Sequence, residues 1–388
     1  MPEGWQLKRL RELATFAPGG SLGLTMSDYR DEGFDAYSAE GQNGKVAVAE
    51  FDGPAVVVSS IGSLCGKSFL AEGKFTTLAN VQVVFPKQGE VDPYFLWNLL
   101  NAEAFWPRAQ TGQPFIRPSD IKKAWIPLPL PLEQSCMAEL FRSVDFLLAK
   151  VQAELAAARR LKTALMQQLF TRGIPGRHTR FKQTKIGLIP EEWDLKRGRE
   201  CFQLGGYSGP APAVVSAQGD SLYLKVDDFN TEGNETVLRT ATVRFNAYQN
   251  PDLQLFPPGA IVFAKRGAAL LKNRVRILGV TSAVDPNLMV MLPKPDAIST
   301  KFLFYFLAHF KLGRLCEDAG IPQLNNRDLY PKLFPVPSDQ EQQQITGLLE
   351  TADETIRAID AELKAVRRLK TSLLQNLLTG KVRIKMEG

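Results

Sequence analysis

Ala153-Glu154-Leu155-Ala156-Ala157-Ala158-Arg159-Arg160-Leu161-Lys162-Thr163 returns later in the chain as Ala361-Glu362-Leu363-Lys364-Ala365-Val366-Arg367-Arg368-Leu369-Lys370-Thr371. The two runs are the centre of a longer repeat: residues 127–171 recur at 335–379, displaced by 208 positions, with 19 of 45 residues identical. A second match lies at the other end of each copy. There Pro2-Glu3-Gly4-Trp5-Gln6-Leu7-Lys8-Arg9 resembles Pro190-Glu191-Glu192-Trp193-Asp194-Leu195-Lys196-Arg197 at a displacement of 188. The displacements differ by 20, so the second copy carries about that many additional residues between its two landmarks. Each copy is a variable region followed by a better-preserved tail. Two copies of this size predict a pseudo-symmetric two-domain protein, not a solenoid.

The tails read as long helices. Met137, Phe141, Val144, Leu148, Val151, Leu155 and Ala158 step by four and three and continue through Leu161, Leu165 and Leu169. The second tail repeats the register at Ile345, Leu349, Ala352, Ile356, Ile359, Leu363 and Val366, then Leu369, Leu373 and Leu377. This is a heptad seam. Pro127, Pro129 and Pro131 in one copy, and Pro335 and Pro337 in the other, stop the helices from extending backwards. Ser338 supplies an N-cap before an acidic first turn, and the helices end near Gly173 and Gly380. Some 40 residues at 1.5 Å each make a rod of about 60 Å. One such helix would pack on its own domain. Two of matched length and register can bury each other, and antiparallel pairing would put the variable regions at opposite ends of a spacer.

The expected boundaries are a first domain at 1–130, a first long helix at 131–173 and a linker at 174–189. A second domain follows at 190–336, then a second helix at 337–380 and a tail at 381–388. Arg177, Arg180, Lys182 and Lys185 stand in the linker with no acid from 172 to 185, which reads as a solvated connector. Both variable regions offer strands closed by an aromatic helix: 55–60, 81–85 and 93–100 in the first copy, and 260–264, 288–292 and 301–307 in the second. The fold class is therefore α+β, with two related globular domains joined by two long antiparallel coiled-coil helices.

Composition bounds the function. With 388 residues and 44% hydrophobic content the chain can bury two cores. No apolar run approaches the roughly 18 residues of a membrane span, and Met1-Pro2-Glu3-Gly4-Trp5 lacks a signal-peptide pattern, so a cytoplasmic location without membrane attachment is expected. Cys65, Cys136, Cys201 and Cys316 are scattered without zinc-ligand spacing and read as buried thiols. A net charge of +6 permits a nucleic-acid partner. Only His178 and His309 are available for histidine chemistry.

Two loops in each domain stand out. After the first core strand come Gly62-Ser63-Leu64-Cys65-Gly66-Lys67-Ser68 in one copy and Lys265-Arg266-Gly267-Ala268-Ala269-Leu270-Leu271-Lys272-Asn273-Arg274 in the other. The first imitates a phosphate loop with three residues between its glycines where four are required, and the second lacks the motif altogether, so these turns are read as presenting cations to an anionic partner. Before each long helix come Thr111-Gly112-Gln113-Pro114-Phe115-Ile116-Arg117 and Ala319-Gly320-Ile321-Pro322-Gln323-Leu324-Asn325-Asn326-Arg327. Glycine and proline stay in place while the other side chains change. Gln, Asn and Arg read base edges, which suits a domain of variable specificity; the plain alternative is a polar loop before a helix. Lys67, Gln113, Arg117, Lys265, Arg266, Lys272, Arg274, Gln323, Asn325, Asn326 and Arg327 are thus the candidate DNA contacts. Val144, Leu148, Val151, Leu155, Ala352, Ile356, Ile359 and Leu363 are the candidate helix-helix seam.

Taken together, Ile186-Gly187-Leu188-Ile189-Pro190-Glu191-Glu192-Trp193, its counterpart Pro2-Glu3-Gly4-Trp5, the approach Pro127-Leu128-Pro129 with Glu133-Gln134, and the Arg-Arg-Leu-Lys-Thr helical core resemble the specificity subunits of type I restriction-modification systems. The resemblance covers nearly the whole chain. It implies two target recognition domains on double-stranded DNA, each reading half of a bipartite site, and paired helices that fix the half-site spacing. It also implies docking of methyltransferase subunits, expected to be two, with restriction or translocase subunits as further partners. Different variable regions imply an asymmetric target, and Ser59-Ser60-Ile61 stands where the second domain has Lys265-Arg266. No Gly-rich cofactor loop, no Asn-Pro-Pro-Tyr segment and no nuclease carboxylate cluster is found, so no catalysis is expected in this chain. No cofactor or metal is expected on it either, and S-adenosylmethionine belongs on the partner methyltransferase. The rival reading is a tandem-repeat coiled-coil scaffold that binds protein only; salt-dependent DNA affinity separates the two.

Overall fold

The apolar positions spaced by three and four form two long helices, Pro131–Arg172 and Asp339–Leu377. Ser338 Oγ accepts from the Glu341 amide at the start of the second. Gly173 and Gly380 follow the helices with φ of +70° and +68°, the left-handed conformation that ends a helix and that a side chain would strain. The computed structural model describes residues 1–102, 105–106, 114–206, 209, 219–316 and 322–384. The chain divides into two units, one of Met1–Glu154 with Ile359–Gly388 and one of Leu155–Ala358, so each unit takes a part of both helices.

The first unit is built on β1 (Ala14–Pro18), β2 (Ala55–Ser59), β3 (Ser68–Ala71) and β4 (Val81–Pro86), followed by α1 (Pro93–Leu100). These strands form an antiparallel sheet in the order β1-β4-β2-β3. A second four-stranded sheet includes Phe34–Ser38 and Lys74–Thr77, which pair in parallel. The chain enters along Gln6–Arg9 and leaves along Trp125–Leu128, paired antiparallel, before the long helix α2 (Pro131–Arg172). Val56, Val58, Val84, Phe95 and Leu99 form a core with Met137 and Phe141 of α2 and with Leu377.

The second unit repeats the plan with β5 (Phe202–Gly205), β6 (Ile261–Ala264), β7 (Val275–Leu278), β8 (Leu288–Pro293) and α3 (Thr300–Phe310). Its sheet runs β5-β8-β6-β7, extended by Val237–Leu238. Asp194–Arg197 and Leu333–Val336 pair before α4 (Asp339–Leu377), as in the first unit. Pro18 and Ala55 enclose 36 residues, whereas Gly205 and Ile261 enclose 55, so the second copy's additional length lies between its first two sheet strands.

Within each unit the helices run antiparallel. In the first, Arg383 beyond the end of α4 grips Glu133 near the start of α2, and Lys370 further back meets Asp145 further on. In the second, Lys162 meets Asp353, and His178 beyond the end of α2 meets Glu341 near the start of α4. Tyr94 Oη donates to Asp145 and Tyr305 Oη to Asp353, each at 2.7 Å, so every Asp ties its own domain's helix to a lysine from the other repeat. Burial, followed by the Asp hydrogen bond, raises the pKa of both phenols, which keeps them donors at any ordinary pH. Likewise Trp5 Nε1 donates to Glu133, and Trp193 Nε1 to Glu341, each at 3.0 Å. Gln134 and Gln342 accept from the amides of Asp92 and Ser299. A buried carboxylate is costly unless paired, and these partners meet that requirement.

Three observations differ from the sequence reading. Leu161 and Leu369, read as seam residues, are 71% and 49% exposed; Lys162 and Lys370 are half-buried in their place and reach the aspartates. A strict seven-residue reading drifts by about 20° per heptad against a straight helix, and each helix turns here toward the domain of the other repeat, where Leu169 and Leu377 are buried. The linker 174–189 is not a plain connector, because Phe181–Thr184 and Gly187–Pro190 form a hairpin. Three of its four cations are also engaged. Arg177 donates to Gln344 at 2.6 Å, Arg180 pairs with Glu191, and Lys182 donates to the carbonyls of Glu191 and Trp193. Charge composition alone does not show that such acceptors lie beside it.

Candidate nucleic-acid interface

The two loops singled out in each domain meet. In the first unit Ile61 faces Phe115 in an isolated antiparallel bridge, framed by Gly62 N donating to Pro114 O at 3.0 Å and Ile116 N to Ser60 O at 2.9 Å. In the second, Arg266 faces Gln323, framed by Gly267 N donating to Pro322 O and Leu324 N to Lys265 O, both at 2.8 Å. The bonds flank the facing residues and do not join them, which is the geometry that brings opposed side chains closest on one face. Alternation sends the next residues inward: Ile116 and Leu324 are buried. Gly62 and Gly267 then turn the chain away with φ of +100° and +68°, values any side chain would strain. The thiols of Cys65 and Cys316 donate to Ser60 O and Gln323 O.

On this shared frame the side chains differ in chemistry. Ile61 and Phe115 are 39% and 37% exposed, an apolar pair on an outer surface. Arg266 and Gln323 are exposed; among the described residues Arg266 Nη2 donates to Pro286 O, at 3.4 Å, and Gln323 Nε2 donates to Asn325 at 3.3 Å. Lys265 is half-buried, and burial together with the neighbouring Arg266 charge, opposed by Asp285, holds its ammonium below the usual lysine range.

The remaining candidates lie around these bridges. Lys67 is exposed on the loop that returns to β3. Arg117 precedes the short helix Pro118–Lys123, its guanidinium 5.8 Å from the Phe115 ring. Lys272 is exposed at the end of a short helix, Gly267–Leu271, that the first domain lacks, and Arg274 is half-buried beyond it. Asn325 occupies the N-cap of Asn326–Leu329, its amide held by Asp328; Asn326 is exposed and the Arg327 side chain is 85% exposed. Gln113 lies outside the described residues. Of the seam candidates in the first unit, Val144, Val151, Ile359 and Leu363 are buried and Leu148 half-buried; in the second, Leu155 is buried and Ala352 and Ile356 half-buried. The sequence reading missed Asp145, Asp353 and the Glu133 and Glu341 pairings. Their signal was present as polar residues identical between copies at positions off the apolar stripe.

Among the described residues no helix is long and apolar enough to cross a membrane, and no group of three His, Cys, Asp or Glu could hold a metal ion. The arrangement of the described residues can present side chains to a partner.

Comparison with known proteins points the same way. The family model described as the type I restriction modification DNA specificity domain matches residues 2–157 and 190–368. The chain is 24% identical over 411 residues to the type I restriction enzyme MjaVIII specificity subunit of Methanocaldococcus jannaschii, covering 99% of this chain and 94% of that one. It is 22% identical over 418 residues to the EcoDI specificity subunit of Escherichia coli, covering 98% and 89%. In fold it is similar to the S subunit of a type I restriction-modification system from M. genitalium, with a TM-score of 0.61, 16% identity, and 99% and 97% of the two chains covered.

Proposed function

Because this chain belongs to the type I restriction-modification DNA specificity family, whose members are non-catalytic DNA-recognition subunits, we propose that its two domains read the two halves of an asymmetric bipartite site in duplex DNA. The helix pair sets the spacing between the half-sites and carries the methyltransferase subunits, on which S-adenosylmethionine binds. The observation that supports this most directly is the pair of bridged loops: one backbone frame, made twice, with different side chains on it. A duplicated reader with divergent reading residues suits a target whose halves differ. Half-sites on one face of DNA lie roughly 34 Å apart, and helices of 42 and 39 residues, about 60 Å each, are long enough to bridge that interval. Exposed cations around the bridges, Lys67, Arg117, Lys272 and Arg327, suit phosphate contacts that position the reader without specifying sequence.

Methylation-site sequencing of DNA from cells with and without this chain, both carrying its methyltransferase, tests the reading. A bipartite asymmetric motif that disappears with the chain is expected. If methylation is the same in both, although both proteins are expressed, the reading fails in favour of a protein-binding scaffold or an inactive remnant.

A further inference from the structure

The two bridges differ in the chemistry they offer, and that difference bears on which bases each domain reads. Ile61 and Phe115 present carbon only; both are more than a third exposed, although their flanking residues Ser60 and Ile116 are buried. A partner that covers an isoleucine and a phenylalanine held open on a fixed frame gains by removing their carbon from water. In the second domain the same two positions carry an exposed guanidinium and an exposed carboxamide, held among the described residues by one long hydrogen bond each. From these paired positions we infer that Ile61 and Phe115 read the first half-site by apolar contact with a thymine methyl group, and Arg266 and Gln323 read the second by bidentate hydrogen bonds to guanine and adenine. This deepens the proposed function and rests on it.

The chemistry follows from the major-groove edges. Thymine alone presents a methyl group there, and an apolar side chain gains by covering it. Guanine presents N7 and O6 to an arginine fork, and adenine presents N7 and N6 to a glutamine amide. Arg117, 5.8 Å from the Phe115 ring, is placed beside the apolar pair, where it can take a phosphate while the ring meets the base. The backbone of each bridge is fixed on both sides by hydrogen bonds and anchored by Ile116 or Leu324, so the reading pair is presented without a backbone ordering cost.

The test changes the DNA first, so that it does not depend on a variant folding. Using the motif found by methylation sequencing, binding of the native chain with its methyltransferase is measured on duplexes in which deoxyuridine replaces thymine, or 7-deazaguanine replaces guanine, in one half-site at a time. Removing the thymine methyl is expected to weaken binding about fourfold in one half-site, and removing guanine N7 about tenfold in the other. The Arg266→Met variant, which keeps the reach but has no donor for guanine N7, then assigns the second half-site to the second domain by abolishing the deazaguanine penalty there. Ile61→Ala should abolish the deoxyuridine penalty in the first half-site only. The inference is overturned if neither base analogue changes binding, if both penalties fall in one half-site, or if either variant leaves its penalty intact. A native chain that yields no chain-dependent motif would instead sink the proposed function itself.

Discussion

Lys370 donates to Asp145 at 2.5 Å, and the phenol of Tyr94 donates to the other oxygen of the same carboxylate at 2.7 Å. One carboxylate thus ties together the domain helix α1, the long helix that follows it and the long helix of the other repeat. Asp353 does the same for Tyr305 and Lys162. Both pairs are about four-fifths withdrawn from solvent, so they are worth more than surface ion pairs and less than fully buried ones.

Asp145→Asn is therefore expected to destabilise the first unit by about 1–3 kcal/mol, leaving Lys370 without its counter-charge. Denaturant unfolding of the native and variant chains gives the difference. The exchange of Asp145→Lys with Lys370→Asp should recover part of the loss; recovery of none would mean that the tyrosine bond, not the ion pair, carries the contribution.

His178 gives the second unit a pH dependence that the first lacks. Burial lowers its pKa, but the hydrogen bonds it donates to Glu341 and Glu192 outweigh that and raise it above the ordinary value of about 6.5. Arg177 also faces Glu341, at 3.7 Å, and Trp193 donates to it. A folded-state pKa above the unfolded one means the stabilisation is complete below about pH 6.5 and is lost as pH rises through the raised value. Melting curves should show the native chain losing stability from neutral to mildly alkaline pH, and His178→Gln should flatten that slope. The equivalent position in the first unit is filled by Arg383, which does not titrate there.

Lys272 and Arg327 are read as phosphate contacts. Replacing either by Gln should weaken binding to specific and unrelated duplexes alike, and reduce the slope of log affinity against log salt by about 1. A loss confined to the specific site would make the residue a base reader.

Removing one heptad from each long helix, 150–156 and 358–364, shortens the spacer by about 10 Å, or roughly three base pairs. Methylation sequencing of cells carrying this deletion should return the same half-sites at a shorter spacing. An unchanged interval would remove the helices as its determinant.

How much of this was legible depends on where the information resides. The long helices, the sheet strands and the doubled architecture follow from periodicity and repetition, because apolar spacing and proline stops are local signals. The bridges are not local: Ile61 and Phe115 are 54 positions apart, and nothing in either loop says that the other lies against it. Leu161 and Leu369 were misread for a related reason, since a heptad pattern does not record where a helix ceases to face one neighbour and begins to face another. Asp145 and Glu133 were readable in principle. Both are identical in the two copies, where many of the apolar positions have drifted, and a polar residue kept while its neighbours change is held by its partners.

Arg383, Glu133 and Trp5 form the clamp of the first unit, and they are drawn from widely separated parts of the chain. The second unit, by contrast, is one unbroken stretch from Leu155 to Ala358. During synthesis the ribosome therefore delivers everything the second domain needs before it makes Arg383. The domain translated first is the one completed last, and until then Glu133 is without its arginine. An N-terminal domain that must wait for the C-terminal region is the reverse of the usual order of folding on the ribosome, and it makes interruption of translation late in the chain costliest to the part already made.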